Sequence, residues 1–137
     1  KVKVLELLLY LGTEKIQNTQ VKVPYFAHTQ VKKVKEIQKY MVSNLRQHYT
    51  LEQLSEQFDI PLTSMKACFK GVFGCSIYAY IKSYRMQAAT VLLQNSDCSI
   101  TEIAMKMGYD NPSKFSEVFK KEYEMTPSEF RKKYIKA

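Results

Sequence analysis

A chain of 137 residues has room for one ordinary domain, or for two small lobes sharing a long helix, and 45% apolar content supports a packed core and argues against disorder. Lys and Arg outnumber Asp and Glu by 21 to 13, so the net charge of +8 suits a polyanionic partner, because each phosphate it neutralises releases counterions. With only four Gly, four Pro and short β-branched runs, and with no stretch near the roughly 18 apolar residues that span a bilayer, the composition predicts an all-helical chain without a membrane segment.

In chain order, Val2, Val4, Leu5, Leu8, Leu9 and Leu11 share one face of a short helix. Glu6 and the lack of a small-residue cleavage site argue against a signal peptide. Residues 12–29 turn polar, carry Pro24 and read as a linker. The start at Lys1, without Met, reads as a piece of a longer protein. Two readings of the first helix stay open: the last helix of a missing upstream domain, or a helix folded back on this one.

The first firm helix is predicted from Gln30 to His48, with Val31, Val34, Ile37, Met41 and Leu45 on its apolar face. Thr50 with Gln53 makes a capping box that opens a short helix bearing Leu51, Leu54 and Phe58. The chain then turns at Asp59, in a left-handed backbone that Gly meets freely and Asp tolerates. A helix from Leu62 to Phe73 follows and stops at Gly74. Next comes a long helix from Ile77 to about Gln94, with Ile77, Ile81, Tyr84, Ala88, Val91 and Leu92 on one stripe. Roughly 18 residues at 1.5 Å each make a rod of about 27 Å. Tyr78, Tyr80 and Tyr84 are at helical spacing and read as packing residues. Ser99 with Glu102 forms a second capping box, Gly108 ends that helix, and Asn111 with Pro112 supplies an N-cap followed by Pro at the first helical position. The helix so started runs to Tyr123. Thr126, Pro127 and Glu129 cap a closing helix whose basic tail, Arg131, Lys132, Lys133 and Lys136, reads as exposed.

The short helix, turn and longer helix are written twice. Leu51, Leu54, Phe58 and Ile60 return as Ile100, Ile103, Met107 and Tyr109, 49 positions later. Met65, Cys68, Phe69 and Phe73 return as Phe115, Val118, Phe119 and Tyr123, 50 positions later. One extra residue in the second turn accounts for the difference. Such a duplication reads as two helix-turn-helix units, each with one helix for a DNA major groove. The expected fold is therefore all-α, two helix-turn-helix subdomains joined by a long connecting helix. Residues 30–76 would form the first, 77–95 the connection and 96–137 the second, with 1–29 the upstream helix plus linker. The connecting rod would hold the two reading helices near the ~34 Å helical repeat of DNA.

The run SITEIAMKMGYDNPSKFSEVFKKEYEMTPSEFRK (Ser99 to Lys132) closely resembles the signature of AraC/XylS-type bacterial transcription regulators. Upstream, TLEQLSEQFDIPLTSMKACFKGVFGCS and YIKSYRMQAATVLL resemble that family's first helix-turn-helix and its connecting helix. The resemblance covers residues 30–134. It implies two subdomains contacting adjacent major grooves, a separate effector-binding or dimerisation domain, and a bacterial transcription regulator, activator or repressor. Two residues depart from the pattern: Pro61, where the family often has Ser or a similar cap, and Glu117, where relatives often place Arg or another polar residue. The phrases FKGVFGCSIYAY and NPSKF resemble a subgroup of iron- and siderophore-linked regulators.

On the first recognition helix Thr63, Ser64, Lys66, Ala67 and Lys70 lie off the apolar stripe. Thr63, Lys66 and Ala67 are the base-edge candidates, and the resemblance makes them the family's reading positions. Lys66 suits guanine O6 or N7, and Ala67 suits a thymine methyl. Ser64 and Lys70 are placed for phosphate. On the second helix Pro112, Ser113, Ser116 and Glu117 hold the equivalent places, Glu117 as an acceptor for cytosine N4, with Lys114, Lys120 and Lys121 for phosphate. Small Ser side chains discriminate little, so the first helix is expected to supply most specificity and the second affinity and register. The plain alternative for each lysine is a solvated helix face. Helix N-terminal amides near Ile77 and Thr101 would add phosphate bonds that carry no sequence information. Arg85, on the connecting helix, reads as a structural bond across to the first subdomain, with DNA contact as the alternative.

Nothing marks an enzyme. His28 in the linker and His48 at a helix end are the only histidines, and neither belongs to a triad. There is no H-E-x-x-H, no Gly-rich phosphate loop and no metal-ligand spacing, so neither cofactor nor metal is expected. Cys68, Cys75 and Cys98 lack C-x-x-C spacing and read as reduced thiols of a cytoplasmic protein. One enzymatic alternative is an alkyl-accepting Cys, as in DNA-repair proteins fused to similar domains, but no neighbouring His or Lys activates Cys68 or Cys75. A further alternative is a helical protein-interaction module, for example one docking on RNA polymerase, with incidental basic charge. Double-stranded DNA is the expected partner and RNA polymerase a second. A piece holding two reading units is expected to bind as a monomer, dimerisation being left to the absent domain.

Overall fold

The computed structural model describes residues 26–135, and the expected helix at 1–11, most of the linker and Lys136 lie outside them. Among the described residues there are seven helices and no strand: α1 His28–Ser43, α2 Leu51–Gln57, α3 Leu62–Phe73, α4 Ile77–Asn95, α5 Ile100–Lys106, α6 Pro112–Tyr123 and α7 Pro127–Tyr134. They fall into two compact units. Residues 26–43 and 49–80 make the first, and residues 44–48 and 81–135 make the second.

In the first unit Val34, Ile37 and Met41 are the buried residues of α1, which packs on α3. Met65, Cys68 and Phe69 of α3 are completely buried, and Leu54 of α2 and Ile60 after the turn are nearly so. Thr50 caps α2 with the full reciprocal box: its Oγ1 accepts from the Gln53 N–H at 3.1 Å, and the Gln53 side chain accepts from the Thr50 N–H at 2.9 Å. The Ile60 N–H then bonds Ser55 O at 3.1 Å and the Asp59 N–H bonds Glu56 O at 3.3 Å, with Asp59 at φ +50°. This is a Schellman ending, in which the left-handed residue lets the chain reverse.

The second unit repeats these devices. The Tyr109 N–H bonds Ala104 O at 2.9 Å, the Gly108 N–H bonds Met105 O at 3.0 Å, and Gly108 has φ +85°. Its core gathers Met86, Ala89 and Leu93 of α4, Ile103 and Ala104 of α5, and Phe115, Val118 and Phe119 of α6. An aromatic trio also repeats. Phe69 lies 4.5 Å from Phe73 and 5.6 Å from Tyr80 between ring centroids, and Phe119 lies 4.7 Å from Tyr123 and 5.5 Å from Phe130. Tyr80 and Phe130 are therefore counterparts, which extends the duplication past α3 and α6.

Several expectations change. Helix α1 ends at Ser43, not His48. Carbonyls beyond it serve another partner: Arg85 Nε donates to Leu45 O at 3.0 Å and Nη2 to Gln47 O at 3.1 Å. Leu45 accordingly packs against the second core instead of extending the α1 stripe. On α4 the buried positions are Ile77, Ile81, Arg85, Met86, Ala89 and Leu93, whereas Val91 is 56% and Tyr78 72% exposed. Ala88 and Leu92 of the expected stripe do pack against the second core. Apolar side chains surround this helix, however, so periodicity also selects the exposed Val91, misses Met86, Ala89 and Leu93, and wrongly makes Tyr78 a packing residue. Ser99 caps α5 by accepting from the Glu102 N–H at 3.1 Å, but the Glu102 carboxylate takes the Ser99 hydroxyl at 3.2 Å, so half of the expected box forms. Arg131 is no free tail cation: its Nε and Nη2 donate to Leu93 O at 3.1 Å and Ser96 O at 3.3 Å. Glu124, at φ +62°, ends α6 where Gly74, at φ +81°, ends α3.

Gly74 and Gly108 differ in what a side chain would meet. A Cβ on Gly74 finds nothing within 4 Å, whereas on Gly108 it would lie 2.9 Å from Arg46 O and 3.0 Å from Leu45 O. Gly74→Ala is expected to cost about 1–2 kcal/mol, the penalty of the left-handed backbone alone. Gly108→Ala must also displace two carbonyls and should cost at least about 1 kcal/mol more. Urea unfolding of both variants checks the order, and equal losses would show that the 44–48 segment yields freely.

Candidate nucleic-acid interface

With Met65, Cys68 and Phe69 turned inward, the outer face of α3 carries Thr63, Lys66, Ala67 and Lys70, all exposed, with Ser64 half-buried. These positions follow the i, i+3, i+4, i+7 spacing of one helix face. On α6, Ser113, Lys114, Glu117, Lys120 and Lys121 are exposed and Pro112 and Ser116 half-buried, over Phe115, Val118 and Phe119. Within each helix the candidate residues thus come together on the side away from the core. A displacement of 50 pairs Thr63 with Ser113, Lys66 with Ser116, Ala67 with Glu117 and Lys70 with Lys120.

The two faces differ electrostatically. The α3 face offers Lys66 and Lys70 with no acid among the candidates, whereas Glu117 on α6 lies 3.6 Å from Lys121 Nζ and 3.9 Å from Lys114 Nζ. Exposed pairs of this kind contribute only about 0–1 kcal/mol to stability. Their larger effect is to offset two cations that would otherwise meet phosphate. The helix starts differ too. Asn111 Oδ1 accepts from the Ser113 N–H at 2.9 Å and the Lys114 N–H at 3.4 Å, whereas Pro61 opens α3 with no side-chain cap. The Ala79 N–H of α4 bonds Ser76 Oγ at 3.1 Å, and Ser99 serves α5, so these starts have side-chain acceptors of their own.

Both turns are held by a basic side chain from upstream, which no local spacing revealed. Lys33 Nζ donates to Asp59 O at 2.5 Å, and His48 Nε2 bonds Gly108 O at 2.5 Å. A carbonyl only accepts, so His48 Nε2 carries the proton. His48 is therefore a staple on the second turn and no helix-end residue, while His28 opens α1 and is not in a linker. Burial pushes the Cys68 and Cys75 thiols above their ordinary value, which opposes the thiolate an alkyl acceptor needs. Tyr123 is pushed up to about 12 by burial first and the Glu122 charge second, so its ring stays neutral in the core. Among the described residues no group of three His, Cys, Asp or Glu is placed to hold a metal, and no helix is long and apolar enough to cross a membrane.

Residues 54–133, spanning both turns and both outward faces, match the family described as "Helix-turn-helix domain". The chain belongs to the AraC-type helix-turn-helix family. It is 35% identical over 98 residues to the HTH-type transcriptional regulator ExsA of Pseudomonas aeruginosa, covering 72% of this chain and 35% of that protein. It is 28% identical over 110 residues to the HTH-type transcriptional activator RhaR of Mannheimia succiniciproducens, covering 80% and 40%. The chain thus spans less than half the length of these curated relatives. The C-terminal domain of the two-component response regulator yesN from Fusobacterium nucleatum is 31% identical, with a TM-score of 0.66 over 71% of this chain and 95% of that one. The DNA-binding domain of AdpA, solved in complex with a target DNA, shares the fold at 21% identity, with a TM-score of 0.70 over 74% and 91%. As an AraC-type domain the chain is a sequence-specific DNA-binding element.

Proposed function

We propose that this domain reads two adjacent major-groove segments of double-stranded DNA, one with α3 and one with α6, for a bacterial transcription activator. The observation that carries the reading is the duplicated outward face, each following a left-handed turn and backed by an aromatic trio. Thr63, Lys66 and Ala67 meet base edges of one segment, with Ser64 and Lys70 on its phosphates. Pro112, Ser113, Ser116 and Glu117 meet the other, with Lys114, Lys120 and Lys121 on phosphate. Helix α4, 19 residues long, begins in the first unit and continues into the second, so one helix runs on from one reading unit to the other. In this reading the piece binds as a monomer in the cytoplasm and catalyses nothing. Effector binding, dimerisation and contact with RNA polymerase complete the longer protein. The phrases around Phe69–Tyr80 and Asn111–Phe115 support the finer assignment to iron-linked regulators.

Selection of bound duplexes from a random library at two salt concentrations tests this. Two short enriched motifs about one helical turn apart are expected. Enrichment of nothing, with binding lost at moderate salt, would sink the reading. A protein-interaction module would then lead, since a packed protein interface lacks the steep salt dependence of phosphate contacts.

A further inference from the structure

Helix α3 is less firmly built than α6. It starts at Pro61 with no side-chain cap, carries Gly71 in its last turn and ends on Gly74. Fifty positions later α6 has Lys121 and Glu124 in those two places, and its start is capped by Asn111. A glycine inside a helix leaves the backbone loose and packs nothing, so it ranks below every residue but Pro there. Gly71 makes room for a neighbour instead. A Cβ on it would lie 2.6 Å from Cε2 and 3.4 Å from Cζ of Phe26, which stands two residues before α1. The half-buried Phe26 ring therefore rests on bare helix backbone, in the place a side chain at position 71 would take. Helical side chains lean over the turn before their own, and four residues before Gly71 on the same row is Ala67. The ring thus sits at the edge of the outward face that carries Ala67 and Lys70, inside the first unit.

The duplication does not repeat this seat among the described residues. A displacement of 52 carries Val34, Ile37 and Met41 of the first core onto Met86, Ala89 and Leu93 of the second, and carries Phe26 onto Tyr78. Tyr78 is 72% exposed, and Lys121, the counterpart of Gly71, lies 3.6 Å from Glu117. We infer that Phe26 is a positioning residue of the first read: its ring, seated on Gly71, holds the last turns of α3 so that Ala67 and Lys70 meet DNA in one geometry. Phe26 touches neither base nor phosphate in this role. The inference rests on the two-groove reading and concerns one of its two reads.

The test uses the whole chain on the duplex it selects, with base-by-base binding profiles taken below the melting point. Lys66→Ala identifies the half-site that α3 reads. Gly71→Ala is the sharper probe, because the added methyl meets the far end of a ring and not backbone, so the ring moves and the helix stays. Its Tm should change little, since the better helix former opposes the lost packing of the ring. Discrimination at the α3 half-site should nevertheless fall at least about fivefold, the lower end of what a base-edge contact is worth. The other half-site should keep its preference. Phe26→Ala should show the same selective loss, and Phe26→Leu, which refills much of the seat, should recover most of it. Gly71→Ala added to Phe26→Ala should cost nothing further, because the ring it displaces is already gone. Unchanged discrimination in Gly71→Ala, or equal losses at both half-sites, would mean plain packing and overturn the inference. A further loss in the double variant would overturn it too, by making the methyl itself the obstruction. Gly71→Ala decides the matter alone if Phe26→Ala does not fold. Failure of the two-groove reading is distinguishable, because the unsubstituted chain would then select no two-part duplex at all.

Discussion

Phe119→Ala is expected to abolish reading of one half-site while leaving the other, and Phe69→Ala to do the reverse. Phe119 is completely buried, with ring centroids of Phe115, Tyr123 and Phe130 at 6.0, 4.7 and 5.5 Å. Truncating such a ring costs about 3–5 kcal/mol through lost burial and the cavity left behind. A whole domain is stable by only about 5–15 kcal/mol, and each unit here owns only part of that core. Phe69 is equally buried and sits against Phe73 and Tyr80 in the same arrangement. The chain has ten Tyr and no Trp, so amide NMR is a better reporter than fluorescence. Dispersed peaks from residues 81–135 should vanish in Phe119→Ala while those of 49–80 persist, and selected DNA should keep one motif. Loss of every dispersed peak in either variant would show that neither unit folds without the other.

What could be read in advance was what local chemistry decides. Both recognition helices have the expected bounds, because Gly74 stops α3 and Asn111 with Pro112 starts α6 within a residue or two of the signal. The left-handed Asp59 followed from its register with Gly108. The candidate faces were legible because they are the complement of the apolar stripe. Features settled by distant partners were legible only in part. The structural role read for Arg85 holds, since it bonds the Leu45 and Gln47 carbonyls 40 and 38 positions away, but the early end of α1 at Ser43 and the reach of His48 to a turn 60 positions on were not foreseen. Helix α4 contributes to both units, so no single hydrophobic period describes it. Glu124 adopts a left-handed backbone without the glycine that would have announced it.

Lys66→Ala is expected to cost about 1–3 kcal/mol in discrimination at one base pair, which is the worth of a good base-edge contact. Its face offers two lysines and no opposing carboxylate among the candidates, so nothing on the helix competes with a guanine for the ammonium. Ser113→Ala should cost less, since a hydroxyl both donates and accepts and so tolerates several bases. Base-by-base binding profiles of the two variants check this, and equal losses of discrimination at both half-sites would defeat the division of labour. Glu117 sharpens the comparison, because its two possible roles have opposite signs. As a partner of Lys114 and Lys121 at 3.9 and 3.6 Å it restrains both cations. Glu117→Ala then releases them, strengthening binding to any duplex and steepening the salt dependence by up to about 0.9 per phosphate newly met. As an acceptor for cytosine N4, its removal would weaken binding to the selected duplex and flatten preference at one position only. The base-edge role proposed for Glu117 predicts the second outcome, and a titration on random duplex at two salt concentrations separates it from the first.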